Sequence, residues 1–266
     1  MQVLYLGDIM GEPGMTVVRE YLPLLKKKYP LDLVIAQAEN VTEGKGMSKA
    51  DYQALRQLGV DFCTGGNWTL SRPELNDYLG DPQQPVIRPF NYPEGTPGLG
   101  AKNVETRKGK VLVISLLGHI VGRDATRPMQ NALSCIDSIL EANTAVEKVA
   151  TIVDFHGDFS SEKRVIGYYL DGRVAAVIGD HWHVPTADAM VLPKGTAHIT
   201  DVGMCGSLHS SLGVKVETII ERWRDEKANR NVLATDRPYQ LNAVLVDIDE
   251  ATGLARSIEH IQHILG

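Results

Sequence analysis

Short apolar runs, each closed by a polar residue, recur along the chain and alternate with stretches of helical character. Met1 to Gly7, Leu31 to Ala38 (LDLVIAQA) and Val60 to Thr64 read as buried strands. So do Lys110 to Leu117 (KVLVISLL), Val149 to Phe155 (VATIVDF) and Val174 to Ile178. Helices are predicted over Val17 to Tyr29, with Pro23 near the first turn, and over Lys49 to Leu58. Two more are predicted over about Met129 to Asn143 and Ser161 to Leu170. Ser48 has the position of an N-cap and Gly59 that of a helix stop. One strand and one helix per ~30 residues is the size of a βαβ unit, so a parallel arrangement is expected.

Asp81 to Gly100 is rich in Pro and Gly and reads as a long surface loop. The last third changes character. Ala189 to Leu192 and Thr196 to Val202, joined by Pro193-Lys194-Gly195, suggest a hairpin. An amphipathic helix near Val214 to Asp225 precedes a second hairpin, Asn242 to Ile248 and Ala255 to His260 around Glu250 to Gly253. With no repeat or linker, one mixed α/β domain over residues 1–266 is expected.

The informative pattern lies at the strand ends. The first strand closes in Gly7-Asp8, the second in Glu39-Asn40 and the third in Gly65-Gly66-Asn67. VATIVDF is followed by His156, and VAAVI by Gly179-Asp180-His181-Trp182-His183. Any one of these is ordinarily a turn or capping residue. In parallel sheets, however, ligands bind beyond the carboxyl ends of the strands, and five strands deliver potential ligands to one such edge. In extended chain His181 and His183 point the same way and Trp182 the other. Imidazole, carboxylate and amide oxygen make a set suited to iron, manganese or zinc. Asp8, Glu39, Asn40, Asn67, His156, His181 and His183 are too many ligands for one tetrahedral ion. They suit two ions sharing a carboxylate, about 3.5–4 Å apart, activating a bridging water for phosphoryl displacement.

Composition removes some alternatives. A net charge of −6 argues against a broad nucleic-acid or membrane surface, which needs clustered Lys and Arg. Cys63, Cys135 and Cys205 form no CxxC pair, so no thiolate zinc knuckle or disulfide framework is expected. The opening MQVLYLGDIM lacks a basic n-region, and no apolar run reaches the ~18 residues of a membrane span. A cytoplasmic protein is the expectation. GxxxGxxG at Gly7, Gly11 and Gly14 is not a dinucleotide fingerprint and reads as a flexible turn before a helix.

Taken together, Gly7-Asp8, Ala38-Glu39-Asn40, Gly66-Asn67, FHGD (155–158) followed by SEK (161–163), and GDHWHVPTAD with LPKGTAHITDVGMCG (179–188 and 192–206) resemble the YmdB-like branch of the calcineurin-like metallophosphoesterases. The resemblance covers essentially the whole chain. It implies a four-layer α/β/β/α sandwich around a dinuclear centre, mostly of iron or manganese. It also implies phosphodiesterase activity on 2′,3′-cyclic and sometimes 3′,5′-cyclic nucleotides. Asp8, Glu39, Asn40 and His183 would surround one ion, Glu39 would bridge, and Asn67, His156 and His181 would complete the second site. The partner implied is a small phosphodiester such as a cyclic nucleotide, without stable nucleic-acid binding or membrane association. A homo-oligomer is compatible with it.

The chain departs from the pattern in three places. Asp8-Ile9-Met10 lacks the His of the wider superfamily's Asp-x-His, as this branch commonly does. Gly66-Asn67-Trp68 stands where the family has Gly-Asn-His, so Trp68 replaces an imidazole thought to protonate the leaving group. His119, after Leu116-Leu117-Gly118, stands where the branch more often has Arg and is a candidate surrogate acid. A metal-dependent phosphodiesterase is therefore the leading expectation, with Asn67, Trp68 and His119 at the catalytic position. A metal-binding scaffold with weakened chemistry and a metal-dependent phosphomonoesterase are the alternatives.

Overall fold

The computed structural model describes residues 1–121 and 130–266. In chain order it begins with β1 (Gln2–Leu6), β2 (Asp8–Ile9), α1 (Gly11–Lys28), β3 (Leu33–Gln37), α2 (Lys49–Leu58) and β4 (Phe62–Thr64). Next come α3 (Asn76–Gly80), β5 (Ala101–Thr106), β6 (Gly109–Leu117), α4 (Ala132–Ala142), β7 (Ala150–His156), α5 (Ser160–Tyr169) and β8 (Ala176–Asp180). The chain continues through β9 (Met190–Val191), β10 (Ala197–Ile199), β11 (Met204–Ser207), α6 (Val216–Asp225), β12 (Tyr239–Asp249) and β13 (Leu254–Leu265).

Side-chain alternation along the strands explains the layers. On β1, Val3 and Tyr5 face one side while Leu4 and Leu6 face the other. Val3 and Tyr5 meet Val111, Val113 and Ile152 of a second sheet, whereas Leu4 and Leu6 pack with Val18, Leu22 and Leu55 of α1 and α2. On β6 the alternation continues: Leu112, Ile114 and Leu116 pack with Ile136, Ile139 and Ile166 of α4 and α5. Both sheets thus bury both faces, and the result is the expected four-layer α/β/β/α sandwich.

One sheet runs β2-β11-β12-β1-β3-β4, with β13 also paired to β12; the other runs β5-β6-β7-β8-β10-β9. Strands β1, β3 and β4 are mutually parallel, as are β6, β7, β8 and β10. Their carboxyl ends meet across the interface between the sheets. There Ser115 Oγ donates to Gly65 O at 2.8 Å, and Tyr5 Oη donates to Asp180 Oδ2 at 2.6 Å.

Several elements depart from the expected boundaries. Helix α1 begins at Gly11 rather than Val17, which places Pro23 in the helix interior. Gly14 is therefore helical, while Gly11 opens the helix with a left-handed φ of 58°. A Cβ on Gly14 would lie 2.4 Å from Cys205 O, so the glycine lets α1 press onto β11. Helix α2 is capped as expected: Ser48 accepts from Asp51 N, and Gly59 ends it in a left-handed conformation.

Residues 81–100 form no helix or strand, yet they are not a surface loop throughout. Val86, Ile87, Asn91 and Tyr92 are buried, and Ile87 N donates to Cys63 O, extending the edge beyond β4. Apolar side chains within a Pro- and Gly-rich segment drew this stretch inward, where Arg88 caps four of its carbonyls. Helix α4 starts at Ala132; the expected start at Met129 lies outside the described residues. Among the described residues no helix is long and apolar enough to cross a membrane.

Candidate metal centre

The seven candidate ligands converge at the carboxyl ends of β1, β3, β4, β7 and β8. His156 is fully buried at the end of β7. Its Nε2 lies 2.9 Å from Glu39 Oε1 and 2.9 Å from Asn67 Oδ1. A Cβ on Gly66 would fall 2.4 Å from the His156 ring, so the glycine preceding Asn67 makes room for this imidazole. His181 packs edge-on against His156, ring centroids 4.4 Å apart. His183 Nε2 sits 3.7 Å from Asp8 Oδ1 and 3.4 Å from the Asn40 amide. His183, Asp8 and Asn40 gather on one side, His156, His181 and Asn67 on the other, and Glu39 beside the second set.

Each imidazole is tied back through one nitrogen. His156 Nδ1 faces Asp180 Oδ1 at 2.5 Å, His181 Nε2 faces Asp158 Oδ1 at 3.0 Å, and His183 Nδ1 donates to Leu212 O at 3.0 Å. The opposite nitrogens of His156 and His183 face the candidate ligands Glu39, Asn67 and Asp8. This carboxylate- or carbonyl-histidine pairing fixes ring orientation and raises ligand basicity. Asp180 itself is held by Tyr5 Oη, and Gln37 Nε2 adds a contact to His156 Nδ1 at 3.2 Å. Asp154, two positions before His156, is also buried; burial and the adjacent Asp180 push its carboxyl well above the usual range.

Two groups of three, Glu39/His156/His181 and Asp8/His156/Asp180, have donor atoms within 4.8 Å of one another. We assign Asp180 to support rather than ligation, since Tyr5 and His156 occupy both of its oxygens. Asp180→Asn is expected to weaken metal binding by about 10–100-fold, the usual effect of losing such an orienting carboxylate. Competition with a chelator reads this directly, and an unchanged affinity would show that Asp180 does not orient His156.

The residues fit a cation. Glu39 Oε1 is buried with no hydrogen bond, although His156 Nε2 lies 2.9 Å away, and Asn67 Nδ2 is also buried unpaired. Burial opposes charge on His156, yet Glu39 and Asp180 prevail and hold its pKa well above normal. Burial likewise opposes charge on Asp8 and on His183, but their mutual attraction lowers the first and raises the second. Protons here occupy positions where carboxylates demand positive charge, the demand a metal ion meets. Asn40 presents Nδ2 to Asp8 Oδ1 at 3.2 Å, so ligation through its oxygen requires the amide to turn over.

The loop carrying His181 and His183 is not extended. Both residues have positive φ, 106° and 62°, a conformation that costs about 1–3 kcal/mol per residue and persists where surroundings enforce it. Asp8 Oδ2 accepts from His181 N, and Asp201 Oδ2 accepts from Trp182 N. Asp201 is in turn bonded by Lys163 Nζ at 2.7 Å, which also reaches Asp180 O at 2.6 Å and lies 4.2 Å from the Trp182 ring centroid. Trp182 is accordingly turned aside, with Nε1 donating to Asp158 O. The two histidines meet one crevice through this clamp rather than through strand periodicity. Asp158, Lys163, Asp180 and Asp201 are the residues that sequence reasoning missed as supports, although all four lie inside the FHGD, SEK, GDHWH and ITD motifs.

Above the centre opens a cleft lined by Asn67, Trp68, Tyr92 and His119. Trp68 N donates to Glu39 Oε2 at 2.7 Å, and Lys45 Nζ stands 3.7 Å from the Trp68 ring centroid. His119 is clamped by Glu162: Oε1 lies 2.9 Å from Nδ1, and Oε2 accepts the His119 backbone N–H at 2.8 Å. Gly118 N donates to His156 O, which seats His119 at the rim beside β7.

Several known proteins are similar to this chain over nearly its full length. The 2′,3′-cyclic-nucleotide 2′-phosphodiesterase of Bacillus subtilis is 40% identical over 261 residues, covering 98% of this chain and 96% of its own. A hypothetical protein from Thermus thermophilus superposes with a TM-score of 0.90 at 36% identity, each chain fully covered. A novel phosphatase from Mycoplasma pneumoniae gives 0.92 at 32% identity, covering 99% of this chain and 93% of its own. With the YmdB-like protein family model matching residues 4–261, the chain belongs to the YmdB-like family.

Proposed function

We propose that this chain is a phosphodiesterase with a dinuclear metal centre that opens 2′,3′-cyclic nucleotides, with 3′,5′-cyclic nucleotides as a second substrate class. One observation carries the reading: three imidazoles are each tied back through one nitrogen, the other nitrogens of His156 and His183 lie against Glu39, Asn67 and Asp8, and His181 gathers with Glu39 and His156. Asp8, Asn40 and His183 would hold one ion, Asn67, His156 and His181 the other, and Glu39 would serve both. The nitrogen and oxygen donors suit iron or manganese, and zinc less specifically. The activity named for the Bacillus subtilis relative supports the substrate class. Three buried, free cysteines fit a reducing cytoplasmic setting.

When bound, the two ions supply Lewis-acid charge to the phosphate and lower the pKa of water. The chain's own residues do the rest. Glu39 and Asn67 fix where phosphorus sits, and Trp68 N holds Glu39 in place. Water adds to phosphorus, one P–O bond to the ribose breaks, and the departing ribose oxygen takes up a proton. His119 stands in for the family imidazole that Trp68 displaces: Glu162 holds Nδ1 and leaves Nε2 to deliver that proton. The proton released by the attacking water restores the acid.

Protein purified without chelator should contain close to two ions per chain and turn over 2′,3′-cyclic AMP; protein that neither holds nor accepts metal rules the reading out. His119→Gln should lower turnover of the cyclic nucleotide by about 10²–10⁴-fold, the scale of general acid catalysis. Its effect on bis-p-nitrophenyl phosphate should be small, since nitrophenolate leaves without a proton. An equal loss on both substrates would remove His119 from the acid role. The scaffold reading rests on Trp68, and an inert wild type that gains turnover as Trp68→His would favour it.

A further inference from the structure

The cleft above the metal-facing residues measures about 1780 Å³, well beyond the ~300–1,000 Å³ that encloses a single drug-sized ligand. Its inner wall carries Trp68, with Lys45 over the ring. Its outer wall carries Trp223, Arg222 and Arg230, from α6 and the loop that follows. Trp223 is 82% exposed, and no residue of α6 is buried. An indole left in solvent on the wall of a cleft calls for an occupant.

Charge indicates which kind. Among the described residues, the two acidic ones that line the cleft are engaged: Glu43 with Arg72 at 2.9 Å, and Glu162 with His119. Arg222 is oriented entirely by neutral groups, its Nε donating to Asn229 Oδ1 and one terminal nitrogen to Asn229 O and Asn231 Oδ1. Its charge is therefore fixed in position, with no carboxylate paired to it among the described residues. Lys45, Arg222 and Arg230 make the cleft locally positive in a chain of net charge −6. Aromatic faces alternating with uncompensated cations along a groove are how single-stranded nucleic acid is held without sequence readout. A second copy of an acidic chain fits such a wall less well than a phosphodiester does.

We propose that the cleft receives the 3′ end of a short single-stranded RNA terminating in a 2′,3′-cyclic phosphate. The terminal base stacks on Trp68, the preceding base stacks on Trp223, and the phosphate between them meets Arg222 and Arg230. This rests on the phosphodiesterase reading above. A mononucleotide occupies only the inner position, whereas a dinucleotide occupies both. Two stations need no broad basic face, which reconciles an RNA substrate with an acidic protein.

The metal-loaded enzyme should show a higher kcat/KM for adenylyl-adenosine 2′,3′-cyclic phosphate than for 2′,3′-cyclic AMP. The preference expected from one stacked base is about 5- to 150-fold. In Trp223→Ala the ratio should fall toward one, and Arg230→Ala should lower it in part. Equilibrium binding of the unreactive pair, the dinucleotide with a 3′-phosphate and 3′-AMP, should show the same ratio without any turnover. Hydrolysis of 2′,3′-cyclic AMP with no dinucleotide preference would overturn the proposal and leave the phosphodiesterase reading standing. Tighter dinucleotide binding without hydrolysis of either substrate would overturn that reading, and with it the reactive end assigned here. A Trp223→Ala variant that changes the oligomeric state and keeps the ratio would also overturn the proposal, making Trp223 a contact between copies.

Discussion

Glu39→Gln should lower turnover of a cyclic nucleotide on the order of 10³-fold, the scale on which losing one preorganised charge-stabilising group acts. Glu39 is 2% exposed and sits beside His156 and His181. One oxygen is occupied by the Trp68 backbone N–H at 2.7 Å, and the other faces His156 with no hydrogen bond. Glutamine keeps the shape and can still accept from Trp68 through its carbonyl. It then turns an amide nitrogen, a donor with no lone pair to offer a cation, toward His156. The fold should survive, since His156 retains Asp180 and Asn67 as partners. Steady-state assays with added manganese, alongside metal content, separate a lost ligand from a lost fold. Full turnover with two ions still bound would show that Glu39 serves neither ion.

Lys163→Met should destabilise the protein by about 3–5 kcal/mol, the cost of leaving one member of a buried ion pair without its partner. Lys163 and Asp201 are both fully buried, with Nζ and Oδ2 2.7 Å apart. Burial already pushes the Asp201 carboxyl above its ordinary pKa, and Lys163 is the first group opposing that rise. Without the ammonium the carboxyl rises further and takes up a proton. A carboxyl whose pKa is raised on folding disfavours the native state at high pH, so the deficit should narrow as pH falls. Urea unfolding at two pH values measures both effects. Because Lys163 also bonds Asp180 O and supports the Trp182 ring, the variant should lose metal affinity as well. A loss below ~1 kcal/mol would place the pair in the same class as exposed ones, which contribute little.

Much of the fold was legible because its signals are local. Helix α2 was bounded to the residue, since Ser48 and Gly59 act on backbone groups within one turn of themselves. The buried strands were legible because both faces of each sheet are covered, so their side chains are apolar in unbroken runs. The short β2 and β11 were missed: each carries too few residues for a period to register, and they exist by pairing with one another and, for β11, with β12. The 81–100 segment was misread because its Pro and Gly content describes its backbone but not where Val86, Ile87 and Tyr92 would be buried.

The sequence by itself determined which chemistry the protein carries: five strand ends bearing Asp, Glu, Asn and His, held to one edge by parallel topology. Only the tertiary structure decided how those groups are aimed. The side of an imidazole that remains open depends on what binds the other nitrogen. Those partners, Asp180, Asp158 and Leu212 O, lie 23 to 29 residues away along the chain. The turn at His181 and His183 depends likewise on Asp8, 173 residues upstream of His181, and on Lys163 through Asp201. Periodicity reports the face a residue takes within its own element. It carries no information on contacts that form only when separate elements meet.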